Sequence, residues 1–260
     1  MAMTLYHGEP NGPSFTVLAA LFETGHAAEL RAIDLAAGER HAPSTPRSVE
    51  VDMSIEGEGP VLVAEGEAMA DSVFIARYLN DTAKGSPITP TDPYKRWEMM
   101  TWCRQIIERV APAAAYLGAK NCLAAKLSAL DDKAFAALTA PIVSEDLKAR
   151  WTDIRKGAFA DDKIEDSKTK IAAATDKLEK QLSGGSDWLL GAFSIADLET
   201  YAWLSGMRDV CPEAFRDKPL TAKWFERMEK RPSVAKALGL SKSGAPRKAW
   251  APGPEINRWG

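Results

Sequence analysis

The sequence predicts an α+β domain followed by an all-helical domain, and three observations carry this prediction. Residues 1–83 alternate between short strand patterns and helical patterns. The stretch "AKGSPITPTDPYKR" holds three prolines and has no steady period, which indicates a linker at residues 84–93. Residues 94–240 then follow a helical period almost throughout. We therefore expect a mixed domain, a linker, a helical domain and an extended tail at residues 241–260, rich in proline and glycine.

The elements of the mixed domain follow the order β-α-β-loop-β-β-α. "TLYHG" and "ELRAIDL" alternate like strands, and the helix "PSFTVLAALFETG" lies between them, with Pro13 at its start and Gly25 at its stop. A loop rich in Gly, Pro and Ser follows, with a helical turn near "PRSVEV". "PVLVAEGEAM" predicts two short strands around "EGE", and "DSVFIARYLNDT" predicts a helix capped by Asp71 or Ser72.

The second domain reads as a series of helices. The long helical pattern that begins at Lys95 is expected to kink at Pro112, because proline lacks the amide hydrogen that an interior turn needs. In "SIADLETYAWL", Ser194 starts a helix and Asp197 follows three residues later, which is the spacing of a capping box. The tail either packs on the rest of the chain through Trp250 and Trp259 or is disordered.

The composition argues against several classes of function. Lys and Arg number 33 and Asp and Glu 36, which gives a formal net charge of -3 without the basic stripe of a nucleic-acid-binding protein. We see no signal peptide, and no apolar stretch approaches the ~20 residues of a membrane span. The three cysteines are widely spaced, which is typical of free thiols in the cytoplasm. No cysteine or histidine pair has ligand spacing, so we expect no metal site.

Two stretches of the first domain have the chemistry of a ligand site. Pro60 opens a strand, and a cis bond before it would turn the backbone of Gly59 outward towards an extended ligand. Asp71 and Ser72 place a carboxylate, a hydroxyl and free amides at a helix start. That combination suits a ligand with both an ammonium and a carboxylate group. The plain alternative is an ordinary strand start and an ordinary N-cap.

Together these features resemble the glutathione transferase superfamily over essentially the whole chain. The resemblance implies a thioredoxin-like domain before the helical domain, glutathione as co-substrate, and a dimer that pairs the first domain with the partner's helical domain. It places Pro60 at the family's cis proline, and Asp71 and Ser72 at the acidic-Ser pair that holds the γ-glutamyl end of glutathione. Ser194 and Asp197 match the family's capping signature.

The loop "AAGERHAPS" is similar to that of the Ure2p-like transferases, in which a basic residue contacts the glycyl carboxylate of glutathione. The resemblance assigns this role to Arg40 or His41, and the alternative is a solvated basic pair in a loop. The chain departs from the family pattern before the third strand. There Gly59 replaces a bulky residue, and Glu56 and Glu58 add negative charge.

In this family the start of the first helix holds the sulfur of glutathione. The first candidate here is Ser14, the nearest match to the family's serine, followed by Asn11 and then by Tyr6 on the preceding strand. A hydroxyl or amide donor at a helix N-terminus favours thiolate over thiol. No cysteine lies at this position, so the thiol must come from glutathione. In the alternative, Pro13 and Ser14 merely begin the helix.

Within the superfamily, the second half resembles the bacterial LigF-type β-etherases. "TPTDPYKRWEMMTW", "LKARWTDIRKG" and "IEDSKTKIAAATDKLEKQL" are similar to them in order and spacing. The resemblance implies attack of the glutathione thiolate on the carbon beside a ketone, with release of a phenolate from a lignin-derived β-aryl ether. An aromatic substrate needs an apolar cleft, for which Phe15, Tyr116, Trp151 and Trp203 are candidate walls.

Two other functions stay open at this point. One is a general glutathione transferase or peroxidase that acts on other electrophiles. The other is a weakly catalytic subunit that stabilises a related partner, because some relatives act as non-identical pairs. We therefore expect a homodimer or a heterodimer, an aromatic small-molecule substrate, and neither a nucleic-acid nor a membrane partner.

Overall fold

A four-stranded mixed sheet forms the first part of the protein, whose computed structural model describes residues 3–46, 58–83 and 87–253. Its strands are β1 (Met3–His7), β2 (Glu29–Ala32), β3 (Val61–Ala64) and β4 (Glu67–Met69), in the spatial order β2-β1-β3-β4. β1 pairs with β2 in parallel and with β3 in antiparallel orientation, and β3 pairs antiparallel with β4. With α1 (Gly12–Glu23) and α2 (Ser72–Thr82), this confirms the predicted thioredoxin-like β-α-β-β-β-α domain.

The hairpin between β3 and β4 lies where the sequence predicts it. Glu65 and Gly66 connect the strands, and both have positive φ angles, of 54° and 91°. Two left-handed residues in succession are typical of the two-residue turn that matches the twist of paired strands. The "EGE" pattern therefore specifies this turn locally. The helical turn predicted near "PRSVEV" and the residue Glu56 lie outside the described residues, except for Pro46.

The second part is helical, as predicted. Its helices are α3 (Pro93–Gln105), α4 (Ala111–Gly118), α5 (Ala124–Ser128), α6 (Asp132–Thr139), α7 (Glu145–Lys156), α8 (Asp161–Leu182), α9 (Ile195–Leu204), α10 (Met207–Val210), α11 (Pro219–Glu229) and α12 (Pro232–Leu238). The first of them begins at the last residue of the predicted linker. Among the described residues, no helix combines the length and the apolar character that crossing a bilayer requires.

The interruption predicted at Pro112 takes the form of a π-helical turn. Residues Ile106–Val110 form this turn between α3 and α4, and the amide of Ala111 bonds to the carbonyl of Ile106, five residues back. Pro112 follows directly in the first turn of α4. Because proline cannot donate, the wider turn before it re-pairs the neighbouring backbone groups.

One apolar core joins the two domains. Phe15 on α1 contacts Tyr201 on α9, with ring centroids 4.7 Å apart, and Tyr201 in turn contacts Trp224 and Phe225 on α11. All four side chains are buried. Helix α9 therefore packs directly against the first domain, and the position of α1 depends on it.

The tail is ordered over its described part. Glu9, in the turn after β1, accepts hydrogen bonds from the backbone amides of Lys242 and Ser243 at 2.9 and 3.1 Å. Further along, the Trp250 ring packs edge-on against Trp151, with centroids 5.9 Å apart. The described part of the tail, for which the sequence predicts an extended segment, therefore packs on both domains and contains a short 3₁₀ turn. Trp259 lies outside the described residues.

Candidate functional site

The first helix begins under the tail. Asn11 is its N-cap, and the Asn11 Oδ1 accepts from the amide of Gly12 at 3.0 Å. The Asn11 Nδ2 donates to the carbonyl of Ala249 at 2.6 Å. A Cβ atom on Gly12, whose φ is +51°, would lie 2.5 Å from the Cβ of Ala251, so glycine lets the tail pass closely here. The amide of Asn11 thus has a protein partner on the tail.

The other two candidates at this end of the sheet also have partners. Ser14 lies in the first turn of α1 and is fully buried, and its Oγ accepts from the amide of Gly8 at 3.0 Å. This arrangement leaves the hydroxyl hydrogen of Ser14 as a donor. The hydroxyl oxygen of Tyr6 accepts from Arg31 Nη1 on β2 at 2.8 Å. Ser14 and Asn11 therefore share the helix start, whereas Tyr6 is paired with the edge strand.

The start of α2 contains a strained residue. Asp71 has φ +70° and ψ 120°, which non-glycine residues rarely adopt. Its Oδ1 accepts from the amides of Val73 and Phe74 at 2.9 and 3.1 Å, so Asp71 and not Ser72 is the N-cap. Asp71 is exposed, whereas Ser72 is buried and donates its hydroxyl to Glu199 Oε2 at 3.1 Å. The two residues of the predicted pair therefore face in different directions.

Glu199 is a buried carboxylate between the two domains. Its Oε2 accepts from the hydroxyls of Thr16 and Ser72 at 2.7 and 3.1 Å, and its Oε1 accepts from the Trp203 indole at 2.8 Å. Burial raises the pKa of Glu199 to about 7, although the three donors oppose the rise. Sequence reasoning missed this residue. The sequence contained one indication of it: a glutamate among the mostly apolar residues of the helix that begins with the capping box.

Arg40 and His41 lie in a 3₁₀ turn and are both buried, at 3% and 6% exposure. Arg40 Nε donates to the carbonyl of Gly59 at 3.1 Å. His41 Nε2 is 3.9 Å from Oε1 of Glu58, and the same oxygen accepts from the Trp151 indole at 2.8 Å. The alternative of a solvated basic pair is therefore wrong, because both side chains are packed into the protein. Glu58, which lies between His41 and Trp151, ties the loop to the helical domain.

The peptide bond before Pro60 is trans, since the described residues contain no cis peptide bond. The resemblance places Pro60 at the family's cis proline, whereas the sequence by itself left the isomer open, so the chain departs here from the family pattern. Trans is the favoured isomer of an X–Pro bond by about 0.5–1 kcal/mol, and in this isomer the carbonyl of Gly59 meets Arg40. Gly59 still lies beside the first helix, because a Cβ on it would be 3.5 Å from Cγ of Pro13.

A cavity of about 440 Å³ opens where β1 and β2 end. It is lined by residues 7–9 and 32–36, by Lys126 on α5, by Leu240 and by the tail residues Lys242, Ser243, Ala245, Lys248, Ala249 and Trp250. None of the eight predicted site residues lines it, although Gly8 and Glu9 lie in the turn between β1 and α1. Asn11 instead lines a separate cavity of about 20 Å³ with Trp203 and Ala249. The larger cavity has the size of a small-molecule site.

His7 contributes a neutral side chain to this cavity. Its Nδ1 lies 2.8 Å from the carbonyl of Gly8, and a carbonyl can only accept, so Nδ1 carries the hydrogen. Burial lowers the pKa of His7, and the ammonium of Lys242 lowers it further. The imidazole is therefore uncharged at neutral pH, and it adds no positive charge to the cavity wall.

Comparison with known proteins finds a family match within the helical part. Residues 151–239 match the family model described as "Glutathione S-transferase, C-terminal domain". The protein LigF of Sphingobium sp. strain SYK-6 is 26% identical over 255 residues, which cover 93% of this chain and 95% of LigF.

Solved structures show the glutathione transferase fold for the whole chain. The crystal structure of the beta-etherase LigF from the same strain matches with a TM-score of 0.82 at 23% identity, covering 93% of this chain and 100% of that one. A glutathione transferase from Pseudomonas putida, solved with one glutathione disulfide bound per subunit, matches with a TM-score of 0.62 at 18% identity. It covers 92% of this chain and 91% of that chain. At these identities the matches establish the fold.

The four aromatic side chains proposed as cleft walls have other surroundings in this glutathione transferase fold. Phe15 and Trp151 are 1% exposed and lie in the two apolar cores. The hydroxyl of Tyr116 accepts from the amide of Ala160 at 3.0 Å. Trp203 is bonded to Glu199, and none of the four lines the larger cavity. The aromatic wall is instead Trp250, for which the sequence predicted packing of the tail but not a place in a cavity.

Proposed function

We propose that this protein uses glutathione to cleave β-aryl ether bonds in lignin-derived aromatic compounds. The similarity to LigF along nearly the full length of both chains is the observation that carries the proposal. The cavity at the ends of β1 and β2 supports it, because about 440 Å³ suits an aromatic compound of one or two rings. The cavity also lies beside the turn that leads into α1.

Glutathione is expected to bind along the starts of α1, β3 and α2. The exposed carboxylate of Asp71 would bind the γ-glutamyl ammonium, and the backbone amide of Ser72 at the start of α2 would bind its carboxylate. The backbone at Gly59 and Pro60 would face the cysteinyl part. Arg40 or His41 would bind the glycyl carboxylate, and Arg40 already fixes the carbonyl of Gly59.

The reaction needs the thiolate of glutathione, and the start of α1 would stabilise it. A hydroxyl donor from Ser14 or an amide donor from Asn11, together with the helix N-terminus, lowers the pKa of a bound thiol. The thiolate attacks the carbon next to the ketone, and a C–S bond forms as the C–O bond breaks. The electron pair leaves with the phenolate, which takes a proton from water. The protein supplies alignment and excludes water.

The protein's own cysteines are poor alternatives to glutathione. Burial raises the pKa of Cys103, of Cys122 and of Cys211, the last to about 11. All three are free thiols and therefore stay protonated at neutral pH. They fit the cytoplasmic location that we propose, where thiols are kept reduced.

Release of phenolate from a β-aryl ether ketone tests the proposal. We expect glutathione-dependent release of phenolate by the wild type. We expect kcat/KM to decrease roughly 10- to 100-fold in one of the two variants Ser14→Ala and Asn11→Ala, namely the one that loses the donor to the thiolate. Absorbance of the released phenolate follows the rate. Ser183→Ala, an exposed serine at the end of α8, is the matched control.

The outcomes of this assay separate the functions. Turnover of other electrophiles without ether cleavage would favour a general glutathione transferase or peroxidase. Ether cleavage that neither substitution slows would remove Ser14 and Asn11 from the reaction. A wild type that binds glutathione but releases no phenolate would favour the weakly catalytic subunit. Two observations favour that alternative: the Asn11 amide is bonded to Ala249, and Ser14 is fully buried.

A dimer is proposed from three exposed aromatic side chains. Phe74 on α2 and Tyr94 and Trp97 on α3 are 64%, 65% and 57% exposed, and the last two contact each other at 5.4 Å between centroids. These exposed side chains lie on both domains, which suits pairing of one domain with the partner's other domain. We expect Trp97→Asp to raise the dimer dissociation constant roughly 100-fold, because a central aromatic residue contributes about 2 kcal/mol or more.

Sedimentation velocity over a range of concentrations measures this effect. Val143→Asp, at another exposed apolar residue in the loop between α6 and α7, is the control and should leave the dissociation constant unchanged. A wild type that stays monomeric at micromolar concentration would contradict the dimer. Two different subunits in the assembly, detected by co-expression, would favour the heterodimer.

A further inference from the structure

The cavity where β1 and β2 end has three lysines in its wall. Lys126 lies on α5, and Lys242 and Lys248 lie on the tail. Within the part of the chain that the structure describes, none of these ammonium groups is within ion-pair distance of a carboxylate. Three unpaired positive charges at one concave site attract anions, and the attraction reaches about a Debye length.

The two acidic residues of the same wall already accept hydrogen bonds from the protein. Glu9 accepts from the hydroxyl of Ser241 at 2.6 Å and from the amides of Lys242 and Ser243. Asp34 Oδ1 accepts from two backbone amides of the 3₁₀ turn that it caps, at 2.9 and 3.2 Å. These bonds leave the two carboxylates turned towards the backbone. Because His7 is neutral, the charged residues of the wall are three lysines and two carboxylates, and their net formal charge is one positive unit.

The rest of the wall is apolar. Ile33 and Leu35 follow β2, Leu240 directly precedes the tail, and Trp250 closes one side. Trp250 is held in place by its edge-on contact with Trp151. Aromatic ligands pack on such side chains, while a charged substituent stays near the lysines at the mouth, which are exposed.

We infer that this cavity selects aromatic electrophiles that carry an anionic group, such as a carboxylate on a ring. The ring packs against Trp250 and Leu35, and the anion lies among Lys126, Lys242 and Lys248. For its reacting step the inference rests on the proposed function, since the cavity would hold the ether beside the thiolate. It adds a charge preference that ether cleavage by itself does not require.

Two measurements with one set of variants test this inference. The variants are the triple substitution Lys126→Gln, Lys242→Gln and Lys248→Gln, and the control Lys180→Gln, an exposed lysine at the end of α8. The first measurement is kcat/KM for a β-aryl ether ketone with a ring carboxylate, divided by that for its uncharged primary-amide analogue. We expect the wild type to prefer the carboxylate, and the ratio to fall about 10-fold in the triple variant and at about 0.5 M salt. The control keeps the wild-type ratio.

The second measurement is calorimetric binding of 4-phenoxybenzoate and 4-phenoxybenzamide, which contain no ketone and do not react. Binding of the acid should weaken about 10-fold more than that of the amide in the triple variant. If no ether is cleaved but this difference is found, the proposed function fails and the charge selection stands. If acid and amide bind alike in the wild type, the charge selection fails.

The remaining outcomes distinguish other roles of the lysines. An equal decrease in kcat/KM for both ethers would place the lysines at the departing phenolate and overturn the inference. An equally large loss of glutathione affinity in the triple variant would show that they hold a carboxylate of glutathione and would also overturn it. A melting temperature that matches the control establishes that the triple variant is folded.

Discussion

Replacement of Asp197 by alanine is expected to lower the free energy of unfolding by about 4 kcal/mol. Asp197 is fully buried at the start of α9, and its two oxygens accept from the amides of Leu189 and Ser194 at 3.1 Å and from the Trp224 indole at 3.0 Å. Burial raises the pKa of Asp197 to about 6, so it is ionised at neutral pH and its donors stabilise the charge. Alanine leaves these buried donors unpaired, each at a cost of about 1–3 kcal/mol.

Chemical denaturation at neutral pH measures this change. Asp197→Asn keeps the shape and one acceptor, so we expect about half the loss. Asp161→Ala, at the exposed first residue of α8, is the control and should cost under about 1 kcal/mol. A loss below about 1.5 kcal/mol for Asp197→Ala would mean that water or a rearranged backbone re-pairs the donors.

Glu199→Gln is expected to change how stability depends on pH. The pKa of Glu199 is about 7 in the folded protein, against an ordinary value of 4.5, because burial disfavours the charge. Between these two values the folded state binds the proton more tightly than the unfolded state does. Stability from this group is therefore full below about pH 4.5 and is lost as the pH rises through 7. The difference corresponds to roughly 3 kcal/mol.

Glutamine can form hydrogen bonds at this site, and because it does not titrate, its contribution to stability does not depend on pH. Its carbonyl can accept from Trp203, and its amide can donate to Thr16 and Ser72, whose hydroxyls rotate. We expect the free energy of unfolding of the variant, relative to that of the wild type, to rise by roughly 3 kcal/mol as the pH increases from about 4.5 to 8. Urea denaturation at several pH values measures the difference. Parallel curves for the two proteins across this window would show that Glu199 keeps an ordinary pKa when folded.

Part of the fold followed from local patterns in the sequence. The hairpin at Glu65 and Gly66, the break before Pro112 and the capping box at Ser194 and Asp197 all depend on residues fewer than six positions apart. Turn chemistry, a missing amide hydrogen and a cap are short-range effects, so one sequence is enough to predict them. The order of strands and helices followed in the same way from hydrophobic periodicity.

The candidate site was predicted less completely, because its contacts join distant residues. Asn11 meets Ala249 across 238 positions, and Ser72 meets Glu199 across 127. Nothing local to "NGPS" or "ADSV" records such a partner. The peptide bond before Pro60 is a further example. It is trans, and the carbonyl of Gly59 accepts a hydrogen bond from Arg40, 19 positions away.

By itself, the sequence determined two domains of known type, their element order, and a helix start with two small polar side chains. The tertiary structure alone decided which side chains that helix start faces, that the tail covers it, and that three lysines and Trp250 surround the cavity. The physical reason is the range of the interactions. Periodicity, turns and caps act within a few residues, whereas burial and charge at a site are set by segments that only folding brings together.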